Sequence, residues 1–514
     1  MPESNINGDL KNHSVPAGNS MQVADFYEYS MAHANVANGV QGRQSIFNAS
    51  LRGMPTSKVV GHFEHKGVKY PELAKRHYMI NAGLEQVVAC LLSDNKEARE
   101  KIVEYFRFIS NREIPNEDEF FEWVLNFKFQ GDIHAMEEGI PFFAHQPLVK
   151  LFETFEGGQV YESVILSILN RQVNVATTSY DVYLASNKKV LLEGASRRAF
   201  GLEDSLNVSR AAMIGGFSSS SNIKFGMEYN KKVGGTHGHS YVLSYGSEYE
   251  AFKAQSKIHS NNVTFLLDTY GDIKTALFTA LKVAREDNLT YFKFRLDSGE
   301  LHTQSKWIHE IMSKCSYSRE SYDVVASDDL NAGKVKFIEK EGGDILCYLL
   351  GTFLSIQSKG PGIVYKITAK KESDTWKPVA KFSEDPGKAT LGGDIQVYRI
   401  MGKDGFYARD VIALMEEPVG QFLNEGESAK PLLIPFVKEG VLSRKMPTLD
   451  EIIKRREEEM SKFKDIENYL VLRSKGVVSN QENILKEIKN KKKNIDLPSD
   501  LMEIYEAEVL NKIA

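Results

Sequence analysis

The chain has 514 residues, a formal net charge of −5 at pH 7, and hydrophobic and charged fractions of 42% and 26%. This length is enough for about three domains, and the composition is that of an ordinary globular protein. The small net charge excludes a global field that would recruit nucleic acid or an anionic membrane. No stretch approaches the roughly 20 apolar residues of a membrane span.

The first 20 residues are polar and contain no hydrophobic core. They are predicted to form a disordered tail and not a signal peptide or an anchor. The three cysteines, Cys90, Cys315 and Cys347, show no metal-ligand spacing. Reduced thiols are therefore expected, which indicates a cytoplasmic protein.

The first third of the chain is predicted to mix helices and strands. An amphipathic helix is expected from position 21 (VADFYEYSMAHA). The other elements predicted here are a strand at 45–52, a strand or turn leading into a buried helix at 78–92, helical structure at 100–126, a strand, turn and second strand at 126–139, and an apolar helix at 161–170.

Between about 190 and 355, short apolar runs alternate with helical stretches such as 272–286 and 305–314. The runs are MIGGF, NVTFLLDTY, YFKFRLDSG, YDVVASDDL and GGDILCYLLGT. This alternation predicts a parallel sheet or barrel, with its site at the carboxyl ends of the strands. Runs that are apolar nearly throughout are typical of strands covered on both faces.

After Pro361 the pattern changes, and the runs IVYKIT, PVAKFSE, DIQVYRI and DVIALM predict antiparallel strands. Pro447 then precedes a predicted helix with a capping box formed by Thr448 and Glu451. The last stretch is predicted to be helical and highly charged, and its lysines at 491–493 to form a solvated helix face.

The run FRLDSGE ends a predicted strand with Arg295 and Asp297 on the same side. An arginine in this position offers a flat fork of donors to a carboxylate or phosphate. Asp297 could hold that arginine, bind a ligand hydroxyl or take a proton. A structural salt bridge followed by a Ser-Gly turn explains the pattern equally well.

Two further polar clusters point to the same edge of the sheet. Asp268 and Asp272 flank Thr-Tyr-Gly after a strand-like run, which suits a ribose, Mg²⁺ or a phosphate. One of them, Asp272, could instead cap the following helix. His237 and His239 lie in GTHGHS, where a pair could bind metal, or a single imidazole oriented by a carboxylate could act as nucleophile or proton carrier. An ordinary turn or core histidine is the alternative.

Taken in order, these motifs resemble those of the nicotinate phosphoribosyltransferase family, among the type II phosphoribosyltransferases, over roughly residues 21–440. The order and spacing of the motifs carry the resemblance. The matching residues are Asp25–Tyr27, Ala82–Leu84, Gly131–Asp132 with Ala135, Glu138 and Gly139, Arg197–Ala199, Gly215–Phe217, Ser221–Asn222, Gly235–Thr236, His239–Ser240, Asp268–Tyr270, Arg295–Gly299, Lys381, Ser383, Leu391 and Gly393.

The resemblance implies transfer of phosphoribosyl from phosphoribosyl pyrophosphate to nicotinate, coupled to ATP hydrolysis and requiring Mg²⁺. It implies that ATP phosphorylates His239 and not His237, that Ser240 and Arg295 face the nicotinate carboxylate, and that Asp268 and Asp297 serve ribose, metal or ring. It also implies a homodimer in which Tyr27 stacks on the pyridine ring of the partner's site. The further substrate contacts that it implies are Arg198, Phe217, Ser327, Asp328, Gly351, Thr352 and Lys381.

The chain departs from the family pattern at several positions. The family's F-G-x-R-R-A begins here with Gly194, so an aromatic platform is missing, and Phe217 or Tyr27 is the candidate replacement. The phosphate loop G-V-G-T begins with Leu349, and T-K-A-A-R reads Thr-Thr-Ser-Tyr-Asp from position 177, without two cations. The acid that follows D-S-G is Glu300.

The fold implied is α/β: an irregular α/β barrel, a second α+β domain and a helical C-terminal extension. The predicted parts are a tail at 1–20, the first half of the α+β domain at 21–160, the catalytic barrel at 161–358, the β-rich remainder of the α+β domain at 359–442, and the extension at 443–514. Three functional alternatives remain: a nicotinamide-using relative, disfavoured because residues 218–221 carry no acid, a non-catalytic nucleotide-binding paralogue, and, last, a metal-dependent phosphatase or hydrolase.

Overall fold

The structure is a computed structural model. It describes residues 17–54, 62–65, 68–71, 76–93, 95–109, 117–260, 262–356, 360–383 and 388–510. Residues 1–16 of the predicted tail lie outside these ranges. The described chain begins with a 3-10 helix at Ala17–Val23.

A seven-stranded antiparallel sheet combines strands from the first and last parts of the chain. Its strands are, from edge to edge, Thr375–Pro378, Ile363–Glu372, Gln44–Leu51, Pro147–Thr154, Asp132–Met136, Leu433–Lys438 and Val441–Leu442. The early segment and the segment after Pro361 therefore build one sheet, as the sequence predicted. Small two-stranded sheets pair His62–His65 with Val68–Pro71 and Met79–Ile80 with Pro141–Phe142.

A six-stranded parallel sheet forms the middle of the chain. Its strands are, in order, Val263–Leu266, Phe292–Leu296, Tyr322–Ala326, Cys347–Leu350, Val190–Glu193 and Ser219–Ser220. The parallel α/β arrangement predicted for this region is confirmed. In the described part of the chain no strand pairing joins the two edge strands, so closure into a barrel stays a prediction.

A four-stranded sheet lies in the C-terminal part, with the order Ser428–Pro431, Ile395–Met401, Tyr407–Leu414 and Leu470–Arg473. Its first three strands are antiparallel, and Leu470–Arg473 adds in parallel. The helix Leu449–Ser461 begins with the predicted capping box of Thr448 and Glu451.

The α-helices fall into three groups along the chain. The first group is Phe26–Ala37, Leu84–Leu92, Lys96–Ile109, Glu117–Asn126, Phe155–Gln159 and Glu162–Ala185. The helices beside the parallel sheet are Leu202–Ile214, Ile223–Glu228, His239–Tyr245, Glu248–Ile258, Ile273–Glu286, Leu301–Lys314, Ala332–Lys340 and Thr352–Ser355. The last group is Leu449–Ser461, Lys475–Lys493 and Ser499–Tyr505.

Two hydrophobic cores correspond to the two large sheets. One joins apolar residues of the first part of the chain to those of the strands after Pro361, and the other surrounds the parallel sheet. The helix Glu162–Ala185 belongs to both, because Leu169 lies in the first core and Val175 in the second. This division agrees with two units that share one long helix, although the domain boundaries stay predictions.

Three local predictions were wrong. The run MIGGF is the end of the helix Leu202–Ile214 and not a strand, because Met213 and Ile214 continue the buried face of that helix. No strand forms at 127–130, where Phe127 and Phe129 enter the first core from irregular backbone. In PVAKFSE only the proline belongs to a strand, and residues 384–387 lie outside the described ranges. Among the described helices, none combines the length and hydropathy that crossing a bilayer requires.

Candidate active site

The polar clusters predicted from the sequence lie at the carboxyl ends of neighbouring parallel strands. Arg295 belongs to the strand Phe292–Leu296, and its register partners are Leu266 on one side and Val325 on the other. Phe292, Phe294 and Leu296 are buried, whereas the alternate side chain of Arg295 is only partly buried. This alternation presents Arg295, and two residues later Asp297, on the side of the sheet that carries the cavities.

Arg295 is held by four neighbours. Its Nε donates to Ser327 Oγ at 2.8 Å, and one Nη donates to Thr236 Oγ1 at 3.0 Å and to the His237 carbonyl at 3.1 Å. The other Nη lies 3.1 Å from Asp297 Oδ2. The guanidinium therefore has a fixed orientation, which a planar donor fork needs for selective recognition.

His239 lies between two carboxylates from different strands. Its Nε2 is 3.2 Å from Asp297 Oδ2 and 3.8 Å from Asp268 Oδ1, and its Nδ1 is 3.3 Å from Thr269 Oγ1. Asp268 accepts a hydrogen bond from Ser298 Oγ at 2.6 Å through Oδ2, while its buried Oδ1 has no hydrogen-bond partner among the described residues. This arrangement provides an imidazole oriented by carboxylates.

Local charge sets the protonation of the groups around Arg295. Burial raises the pKa of Asp297, but the Ser327 hydroxyl and the positive charge of Arg295 outweigh it, so the pKa lies below its usual value. Asp297 is therefore ionised at neutral pH. Burial and the charge of Arg295 lower the pKa of His237 to about 4, so this imidazole is neutral.

Two cavities meet at this end of the sheet. The upper cavity has a volume of about 500 Å³, and it is lined by Gly194, Arg197, Arg198, Arg295, Asp297, Ser327, Asp328, Asp329, Leu330, Leu349, Gly351 and Thr352. The lower cavity has a volume of about 620 Å³ and reaches toward the start of the strands, where Val190, Val263, Lys293 and Cys347 line it. Arg295, Ser327 and Leu349 line both.

The backbone of the upper cavity is constrained at two positions. Asp328 has a φ of 89°, a conformation that non-glycine residues rarely adopt and that is enriched at functional sites. A Cβ on Gly351 would lie 2.8 Å from the Gly194 carbonyl oxygen. Gly351 is therefore needed for the close approach of these two strand ends.

The chain is 28% identical over 494 residues to nicotinate phosphoribosyltransferase of Bacillus subtilis (strain 168), covering 91% of this chain and 95% of the relative. It is 26% identical over 507 residues to nicotinate phosphoribosyltransferase of Caenorhabditis elegans, covering 84% and 85%. These relatives extend the resemblance of the motifs to most of the chain and support a place in the nicotinate phosphoribosyltransferase family. No protein-family model matches it.

Two solved structures share the fold over most of this chain. Human nicotinic acid phosphoribosyltransferase superposes with a TM-score of 0.71 and 20% identity, covering 90% of this chain and all of that chain. The nicotinate-nucleotide pyrophosphorylase of Pyrococcus furiosus superposes with a TM-score of 0.64 and 16% identity, covering 90% and 98%. At these identities the likeness concerns the fold.

The structure gathers most of the residues that the nicotinate phosphoribosyltransferase motifs predicted. Those around the upper cavity or in contact with its Asp297 are His239, Arg198, Arg295, Ser327, Asp328, Gly351 and Thr352. Asp268 joins them through its approach to His239. Asp272, the alternative carboxylate, caps the helix Ile273–Glu286 by accepting from the backbone N–H groups of Lys274 and Thr275.

Four predicted substrate-binding residues line neither cavity. Phe217 is only 4% exposed and belongs to the core of the parallel sheet, so the ring has no surface to offer a ligand. Ser240 is exposed on the helix that begins at His239. Tyr27 is 46% exposed on the helix Phe26–Ala37, and Lys381 is exposed next to Thr390.

His237 and His239 do not act as a pair. His239 begins a helix and contacts Asp297, whereas His237 packs near the rings of Tyr241 and Phe252 and lines the lower cavity. The metal pair considered from the sequence is therefore not formed by these imidazoles.

Four contributors received no role in the sequence analysis, although three of them lie within the matched motifs. Arg197 and Asp329 line the upper cavity, Thr269 contacts His239, and Ser298 donates to Asp268. Each of these residues is adjacent to one that was singled out. Their positions beside the strand-end motifs could have indicated these residues. The sequence does not show in which direction each side chain points.

Proposed function

We propose that this protein transfers phosphoribosyl from phosphoribosyl pyrophosphate to nicotinate, giving nicotinate mononucleotide and pyrophosphate in NAD salvage. The observation that carries the proposal is the position of His239 between Asp268 and Asp297, with Asp297 also paired to Arg295 at the wall of the upper cavity. The names of the family relatives support the same reaction.

The upper cavity suits the chemistry at the ribose. Breaking the bond between the anomeric carbon and the leaving oxygen builds positive charge on the sugar. Asp297 is ionised and lines this cavity, so it can stabilise that charge. Arg197 and Arg198 line the same cavity and supply positive charge for the phosphate and pyrophosphate groups.

The carboxylates also fit a magnesium requirement. Within the part of the chain that the structure describes, the buried Oδ1 of Asp268 has no hydrogen-bond partner, and both Asp268 and the second carboxylate, Asp297, lie near His239. No group of three or more His, Cys, Asp or Glu side chains is arranged as a metal site among the described residues. Mg²⁺ at phosphate-transfer sites is usually held by one or two carboxylates together with phosphates and water. When bound, Mg²⁺ would neutralise charge on the leaving pyrophosphate.

His239 is proposed to accept the γ-phosphoryl group of ATP. A bond forms between a ring nitrogen and phosphorus as the bond to the leaving ADP oxygen breaks, and hydrolysis of the phosphohistidine later releases phosphate. Asp268 and Asp297 would stabilise the positive charge that the ring gains during the transfer. This role couples ATP hydrolysis to the reaction.

The charges around the site favour nicotinate over nicotinamide. Arg295 offers a cation to the nicotinate carboxylate. Residues 218–221 carry no acid, and the nearby Glu193 is fully buried and accepts hydrogen bonds from Ser209, Ser220 and the Ala195 N–H. Because Glu193 is fully buried, it presents no oxygen to a ligand amide.

A cytoplasmic homodimer with shared sites completes the proposal. Tyr27 is exposed and lines neither cavity of its own chain, so it can stack on a substrate only in a partner's site.

The test compares wild type, His239→Ala and the matched control His237→Ala in mononucleotide formation with and without ATP. We expect ATP to stimulate wild type and His237→Ala and to have no effect on His239→Ala. ATP stimulation that survives in His239→Ala contradicts the phosphohistidine. Base-stable, acid-labile label from γ-labelled ATP should appear on wild type and on His237→Ala, and it should be absent from His239→Ala.

A further inference from the structure

Gly194 leaves a space that the side chain of Leu349 occupies. Leu350 and Glu193 are register partners in neighbouring parallel strands, and the Gly194 N–H donates to the Leu350 carbonyl at 2.8 Å. A Cβ built on Gly194 would lie 3.2 Å from Leu349 Cδ2 and 3.7 Å from its Cγ. Gly194 does not have a positive φ, so its backbone does not require glycine. A larger residue at this position would have to displace the leucine side chain, so the effect of the glycine is the room that it leaves.

Leu349 occupies the junction of the two cavities. It is one of three side chains that line both, and the other two are Arg295 and its hydrogen-bond partner Ser327. The large apolar side chains that line the upper cavity are Leu330 and Leu349. Leu330 is only 3% exposed, whereas Leu349 is partly exposed. In the upper cavity, which Arg295 also lines, Leu349 therefore supplies the large apolar side chain that is partly exposed.

The substrate of the proposed reaction needs such a surface. Nicotinate is a flat ring with two apolar faces and a carboxylate at its edge. No Phe, Tyr or Trp lines either cavity in the described part of the chain. With the carboxylate at Arg295, the face of the ring turned toward this chain meets no Phe, Tyr or Trp side chain of these cavities, and contact with an aliphatic group removes apolar surface from water.

We propose that Leu349 is the surface on which the pyridine ring of nicotinate lies, and that Gly194 is the small residue that allows Leu349 to take this position. Leu349 then acts as a specificity-determining residue, since it fixes the ring beside Arg295. This inference rests on the proposed function.

The experiment measures kcat and the KM values for nicotinate and for phosphoribosyl pyrophosphate. Leu349→Ala should raise the KM for nicotinate about tenfold, in the range expected for methylenes lost from an apolar pocket, and change the KM for phosphoribosyl pyrophosphate less than twofold. Leu349→Met keeps the volume of the side chain, so its KM for nicotinate should stay within threefold of the wild-type value. The matched control is Leu346→Ala, three residues earlier in the chain, which lines only the lower cavity and should match wild type.

A swap of the two positions tests the space argument. Gly194→Phe alone should lower kcat/KM for nicotinate at least tenfold, because the ring and Leu349 compete for one volume. Gly194→Phe combined with Leu349→Gly should have a kcat/KM for nicotinate at least tenfold above that of Gly194→Phe alone, because the aromatic ring replaces the leucine. Thermal melting of each variant identifies changes that come from misfolding.

The outcomes separate this inference from the proposed function. A wild-type protein that forms no nicotinate mononucleotide refutes the proposed function and, with it, this inference. An active wild type whose KM for nicotinate is unchanged in folded Leu349→Ala and Leu349→Met refutes the inference alone. Equal rises in both KM values, or a double variant no better than Gly194→Phe, also refute it.

Discussion

Asp268 and Asp272 form a natural pair for testing which strand-end carboxylate serves the chemistry. They belong to one loop, but Asp268 approaches His239 and has only 7% of its side chain exposed. Asp272 caps a helix. Changing each to asparagine keeps the size of the side chain and removes its charge. Only the change at Asp268 should lower activity.

The magnitude follows from the distance. Full unit charges on Asp268 Oδ1 and His239 Nε2, 3.8 Å apart, would interact by about 4 kcal/mol at an effective dielectric constant of about 20. His239 is 41% exposed, so solvent screening reduces this to about 2 kcal/mol. At 1.36 kcal/mol per tenfold, kcat for Asp268→Asn should fall about 30-fold.

The assay is steady-state formation of nicotinate mononucleotide at saturating phosphoribosyl pyrophosphate, Mg²⁺ and ATP. Asp272→Asn should remain within threefold of wild type in activity and nearly unchanged in melting temperature, because asparagine caps helices as well as aspartate does. If Asp268→Asn also remains within threefold, the carboxylate does not act on His239 and the reasoning fails.

Three further predictions follow. Arg295→Ala should lower kcat/KM for nicotinate at least about tenfold, through loss of a charge-assisted contact, and unchanged kinetics would exclude the assigned role. Burial raises the pKa of Glu28 from 4.5 to about 7. The folded state therefore holds this proton more tightly, and the stability it confers is complete below about pH 4.5 and lost as the pH rises through 7. Melting temperature should fall between pH 5 and 8 less steeply in Glu28→Gln than in wild type, and equal slopes would contradict this. Arg399→Met leaves Asp410 buried without its cation, so it should reduce the free energy of unfolding in urea by about 3–5 kcal/mol, whereas a loss below about 1 kcal/mol would contradict it.

The parallel strands were predictable because their pattern is local. Strands covered on both faces are apolar nearly throughout. The polar residues Asp268, Arg295 and Asp297 lie at or just after the ends of two such strands. The cap at Asp272 was predictable for the same reason, since it concerns the next three residues only. The run MIGGF failed because a short apolar run does not distinguish a strand from the end of a buried helix.

The tertiary contacts of the site were not predictable from local pattern. Phe217 follows a Gly-Gly pair typical of a binding loop, but its ring enters the core. The contact between Gly194 and Leu349 joins residues far apart in the chain, and it depends on the register of two neighbouring strands. The sequence showed both departures from the family pattern, and only the structure showed that they touch.

The most direct test of the central claim is product formation by the wild-type protein from nicotinate and, separately, from nicotinamide, with phosphoribosyl pyrophosphate, Mg²⁺ and ATP. The account predicts mononucleotide from nicotinate, stimulated by ATP, and little or none from nicotinamide. Product from nicotinamide alone would contradict the argument from residues 218–221 and Arg295. The absence of product from either base would contradict the enzymatic function itself.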